Sequence, residues 1–108
     1  MRVDEEVARH FRLEEPVRRL LLQNVATMDR RERRLYKREL EPRADAMREF
    51  IAALFDRERM LRGPAVEDEW ATWIATDVRQ RGYTSVLAGW VMDVIGRGKV
   101  ARILDALK

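Results

Sequence analysis

Between Asp29 and Arg43 the chain carries seven basic side chains, Arg30, Arg31, Arg33, Arg34, Lys37, Arg38 and Arg43, against four acidic ones. The chemistry this supports is recognition of phosphate or carboxylate, because arginine presents a planar, permanently charged fork. On a helix, Arg30, Arg34, Lys37 and Arg38 form one stripe, since positions three and four apart share a face. Arg31 adjoins it. Only Leu35, Tyr36 and Leu40 are apolar in this helix, so it buries little and offers a positive ridge. Such a ridge follows a row of phosphates, each neutralised phosphate adding salt-dependent affinity. Tyr36 beside the stripe is placed to stack on a base. The alternative is a solvated face whose charges pair at four-residue spacing, Asp29 with Arg33 and Glu39 with Arg43.

A second basic group, Arg97, Lys99 and Arg102, lies near the C-terminus. Leu87-Ala88-Gly89-Trp90-Val91, the turn Gly96-Arg97-Gly98, and the apolar Val100, Ile103 and Leu104 together resemble a helix-turn-helix. The resemblance implies that Arg97, Lys99 and Arg102 stand at the start of a recognition helix, facing a major groove. An ordinary helical hairpin accounts for the same pattern.

Trp70, Trp73 and Trp90 are the third group. Tryptophan is enriched at binding hot spots, and the apolar positions of this region exceed a narrow stripe, so Trp73 and Trp90 are candidate partner contacts. Core packing is the competing reading. His10, the only histidine, has no nucleophile or acid motif beside it and reads as structural or surface. The acidic runs Asp4-Glu5-Glu6 and Glu67-Asp68-Glu69 fall in first helical turns, where they complement the helix dipole without any metal.

These groups must be positioned by helices. The apolar residues recur at three- and four-residue spacing throughout, and no segment alternates with the period of two that a strand needs. The first helix is predicted from about Glu5 to Leu13, capped by Asp4. The second opens at Pro16 with Val17, Leu20, Leu21, Val25 and Met28 on one face. The third is opened by an Asp29–Glu32 capping box and runs to about Leu40. The fourth, about Arg43 to Arg62, has the strongest periodicity (Met47, Phe50, Ile51, Leu54, Phe55, Leu61) and is expected to be the spine. The fifth runs from about Val66 to Arg81 and closes at Gly82. The sixth is capped by Thr84 or Ser85, and the last holds Val100, Ile103, Leu104 and Leu107. The expectation is an all-α, compact single-domain bundle of six to seven helices over residues 1–108.

Composition sets the remaining bounds. The 108 residues suit one domain. The absence of cysteine excludes disulfides and thiolate metal sites, and a lone histidine excludes a multi-histidine site. Lysine is confined to Lys37, Lys99 and Lys108; the net charge is +3. No secretory segment or membrane-length apolar run is visible, so a soluble, cytoplasmic chain is expected. No Walker loop, EF-hand loop, H-E-x-x-H or G-x-S-x-G pattern occurs, and the chain is expected not to be an enzyme and to need no cofactor or metal.

Two functions follow as expectations. The first is a non-catalytic nucleic-acid-binding protein contacting phosphates through Arg30, Arg31, Arg34, Lys37 and Arg38, with a second contact from Arg97, Lys99 and Arg102. The polarised charge motivates it: residues 1–16 hold three basic and five acidic side chains, the reverse of the later segments. Its partner is DNA or RNA, or a protein complex containing it, and not a membrane. The second is a protein-interaction module: an adaptor, an inhibitor, a self-associating chain or a small subunit. In size and charge the chain is similar to helical small subunits of ribonucleoprotein effector complexes, CRISPR complexes among them, as a class.

Overall fold

A computed structural model describes residues 2–107 of the chain, so Met1 and Lys108 lie outside the described residues. Seven α-helices follow one another: α1 (Val3–His10), α2 (Val17–Leu20), α3 (Arg30–Glu39), α4 (Ala44–Arg62), α5 (Ala65–Arg81), α6 (Val86–Ile95) and α7 (Arg97–Ala106). Short 3-10 turns at Val25–Thr27 and Glu41–Arg43 flank α3. No strand occurs among the described residues. The fold is all-α, as the periodicity predicts. No helix is long and apolar enough to cross a membrane.

The longest helix, α4, packs on α1, α5 and α6, as expected of a spine, and the most deeply buried is α6. It buries Val86, Leu87, Ala88, Trp90, Val91, Met92 and Ile95, and it packs against α4, α5 and α7. Its ten residues include a single charge, Asp93, so nearly every side of it can face protein. The longer α4 fully buries only Met47, Ile51, Leu54 and Phe55. Leu61, counted in its apolar face, stands 72% exposed.

A buried helix end must satisfy its free backbone N–H groups. At α6 the loop after α2 does so from a distance of more than sixty residues. Val86 N–H donates to the Gln23 carbonyl at 2.8 Å, and Leu87 N–H to the Leu21 carbonyl at 2.9 Å. The Tyr83 hydroxyl donates to the Leu22 carbonyl, and the Asn24 amide to the Thr84 carbonyl. Ser85 completes the cap, its hydroxyl accepting from Ala88 N–H at 3.1 Å. These contacts explain why the second helix ends at Leu20 instead of running on toward Met28. The carbonyls of Leu21, Leu22 and Gln23 are turned outward to α6, and residues 21–24 cannot keep them in helical bonds as well. Val25, expected on the apolar face of that longer helix, is consequently exposed.

Asp4 lies within the first turn of α1 and does not cap it; the helix begins one residue earlier, at Val3, and has no side-chain cap. It also ends at His10, short of the expected Leu13, while α3 to α7 keep to the punctuation within a residue or two. Gly82 adopts the left-handed conformation (φ 77°) that ends α5, where a side chain is strained.

Ser85 supplies a first test. It is 2% exposed, so Ser85→Ala strands a buried N–H with no water to replace the lost acceptor. The expected cost is about 1–2 kcal/mol, read as a lower urea midpoint with an unchanged slope.

Candidate nucleic-acid interface

The candidate interface is α3, held at both ends. At its start the capping box is complete: Asp29 Oδ1 accepts from Glu32 N–H at 2.8 Å, and Glu32 Oε1 accepts from Asp29 N–H at 3.0 Å. The second Glu32 oxygen accepts from Gln23 Nε2 at 2.9 Å. Gln23 is the residue whose carbonyl caps α6, so α3 is fixed to the core through one side chain. At its end Arg43 Nε donates to the Glu39 carbonyl at 2.9 Å, while its guanidinium also reaches the Phe11 carbonyl at 3.5 Å. Arg43 belongs to the basic run in sequence but serves as a brace.

With its ends fixed, α3 needs little burial. None of its ten residues is fully buried. Leu35 and Tyr36 are half-buried against the core, and Leu40 just beyond is enclosed. Successive residues turn by about 100°, which puts Glu32, Leu35, Tyr36 and Glu39 on the inner side. Arg30, Arg31, Arg33, Arg34, Lys37 and Arg38 fill the remaining arc of about 160°, and all six are exposed. Tyr36 is therefore half-buried on the packed side, bordering the charged arc at Arg33, instead of standing on the exposed stripe where it was expected to stack on a base. Burial, with Glu41 nearby, raises its phenol above the usual value despite the opposing pull of Arg48.

Pairing sets this helix apart. Elsewhere the cations are largely neutralised in place: Arg2 by Asp4 and Glu5, Arg48 by Asp45 and Asp93, Arg62 by Glu58 and Glu69, Arg81 by Asp77. Among the described residues Arg30, Arg31, Arg33, Arg34 and Lys37 form no ion pair, and Arg38 meets only its neighbour Glu39. Arg12, Arg18, Arg57, Arg79 and Arg102 are also unpaired, but each lies on a different helix or loop. Arg30, Arg33, Arg34 and Lys37, with Met28 and Asp29, line an open groove of about 540 Å³.

The alternative reading paired Arg33 with Asp29. Among the described residues Arg33 forms no ion pair, while Asp29 Oδ1 accepts from the Glu32 N–H, so Arg33 joins the exposed cations. The other expected pair, Glu39 with Arg43, does form, at 3.9 Å.

The arrangement is unfavourable for an isolated helix. Arg30–Arg34, Arg33–Lys37 and Arg34–Arg38 are like-charged neighbours four apart, each destabilising by roughly 0.2–0.5 kcal/mol. Arg30 and Arg31 also stand at the N-terminal end, where the helix dipole disfavours cations. A bound polyanion would relieve both costs.

The C-terminal basic trio is not assembled in the same way. Lys99 Nζ lies 3.0 Å from Glu67 and 3.1 Å from Asp68, in the acidic first turn of α5. Those two bonds raise its pKa and commit it to joining α7 to α5. Arg97 is paired with Asp93 of α6 at 2.9 Å. Only Arg102 of the three is unpaired. Gly96 alone separates α6 from α7, and α7 packs more extensively on α5 than on α6. The geometry is that of a helical hairpin folded against α5, with Lys99 turned inward from the place a recognition helix would need it.

The tryptophans divide. Trp90 is 5% exposed and belongs to the core, so its expected role as a partner contact is withdrawn. Trp70 is also enclosed, edge-on to Phe55 at 5.1 Å and to Trp73 at 6.0 Å. Trp73 is 37% exposed and lines a hollow of about 440 Å³ with Val3, Glu58, Arg62, Glu69 and Trp70. His10 is exposed and stacks on Phe50 at 4.3 Å. The described residues contain no group of three or more acidic or histidine side chains able to hold a metal.

Set against models of protein families, curated proteins and solved structures, the chain matches none of them.

Proposed function

We propose that the protein is a non-catalytic helical module that binds nucleic acid through the phosphate backbone, using α3. One observation carries the reading: α3 concentrates five cations that form no ion pair among the described residues, on a helix whose ends are braced and whose Glu32 is taken up by the cap and Gln23. The contacts are Arg30, Arg31, Arg33, Arg34 and Lys37, with Arg38 at the edge. Arg102 is the member of the C-terminal trio free to add a contact; Arg97 and Lys99 are held by carboxylates. The reading needs no cofactor.

Fluorescence anisotropy with a labelled oligonucleotide, titrated at several salt concentrations, tests it. Five phosphate contacts predict a log–log slope near −4.5 on duplex DNA. Between 50 and 200 mM salt the affinity then falls by roughly 500-fold. Absence of binding at the lowest salt to duplex DNA, single-stranded DNA and RNA alike refutes it.

A protein-interaction module is the second reading, favoured by the partly exposed Trp73 at the hollow between α4 and α5. Charge reversal at Arg34 and Lys37 separates the two. It removes nucleic-acid binding under the first reading and leaves association with a protein partner intact under the second, where Trp73→Ala is the damaging change.

A further inference from the structure

We infer that α3 enters the major groove of B-form duplex DNA lengthwise, with cations facing both bounding backbones. The inference rests on the nucleic-acid reading above and specifies its substrate. It follows from the width of the charged arc. A single strand lying along a helix is matched by one stripe of cations, and any on the far flank face away from it. Here both flanks are charged. Arg33 and Lys37 lie on one side, Arg31 and Arg38 on the other, and Arg30 and Arg34 form the crest between them. All six are exposed, and the packed side chains lie opposite the crest.

The dimensions agree. A ten-residue helix is about 15 Å long, and a helix with its side chains is about 10–12 Å across. The major groove of B-DNA is about 12 Å wide and about 8.5 Å deep. Duplex RNA, in the A form, has a deep and narrow major groove that does not admit such a helix. The groove lined by Met28, Asp29, Arg30, Arg33, Arg34 and Lys37 lies along the Arg33–Lys37 flank and gives one backbone a seat. The acidic member of that wall, Asp29, already accepts a backbone N–H. At the crest, Arg30 and Arg34 lie over the groove floor between the two backbones, within reach of phosphates on either side.

The full chain is titrated by anisotropy against a 20-base-pair DNA duplex, one of its single strands, and the RNA duplex of the same sequence. The expected order is DNA duplex tightest, by at least about tenfold over the other two. Paired variants then test the flanks. Arg33→Gln with Lys37→Gln is expected to reduce the salt slope on the DNA duplex by about two, and Arg31→Gln with Arg38→Gln by about one, since Arg38 is already paired with Glu39. Methylation of guanine N7 is expected to deplete fragments from the bound fraction. Equal affinity for the three nucleic acids, or a slope that responds to one flank only, overturns the groove placement and leaves phosphate binding standing. Failure to bind any of the three overturns both.

Discussion

Replacing Arg30, Arg33, Arg34 and Lys37 together by glutamine is expected to remove most of the binding and none of the stability. Each cation that neutralises a phosphate contributes about 0.9 to the salt slope, so the slope on duplex DNA should fall from near −4.5 to near −1. The same fourfold rise in salt would then weaken binding only about fourfold. Glutamine is nearly as good a helix former as arginine, and all four side chains are exposed and form no ion pair among the described residues. Their replacement relieves the repulsion along α3, so the urea midpoint should stay level or rise. This pairing of outcomes is informative. A ridge that serves only as a solvated surface has no binding to lose, and a ridge that props up the fold loses stability when neutralised. A lower midpoint, or an unchanged slope, refutes the assignment.

The second large effect concerns the tryptophans. Trp90→Ala should destabilise the protein by about 3–5 kcal/mol, the range for removing a large aromatic from a core. Trp90 is 5% exposed on α6, the helix that α4, α5 and α7 enclose, so the cavity has no easy way to collapse. A chain of this size can lose most of its stability to such a change, and partial unfolding at room temperature is the expected phenotype. Trp73→Ala should cost less, about 2 kcal/mol, because more than a third of its surface already faces water. Urea denaturation of the two variants side by side measures the difference. Comparable losses would mean that Trp73 is as enclosed as Trp90 in solution, and would remove the structural support for Trp73 as a partner contact.

The candidate site was partly legible. The stripe of Arg30, Arg34, Lys37 and Arg38 follows from helix geometry, and the Asp29–Glu32 box and the Ser85 cap follow from residue types three apart. Arg33 was left out of the stripe because it stands at its flank, about 60° from Arg30 around the helix. Tyr36 was misplaced because it adjoins the stripe in sequence while two leucines nearby, Leu35 and Leu40, draw that side of the helix inward.

What the sequence by itself determined is therefore local: the helical period, the caps, the glycine stops and the charge borne by α3. Each depends on residues within about one turn, whose spacing and chemistry are visible in a single line of text. Only the tertiary structure decided which charges remain available. Lys99 is neutralised by Glu67 and Asp68, thirty-two and thirty-one positions away. The second helix is cut short because the carbonyls of Leu21 and Gln23 are taken by Val86 and Leu87. Trp90 is enclosed because other helices converge on α6. In each case the deciding partner comes from a distant part of the chain, whose position no local pattern of residue types reveals.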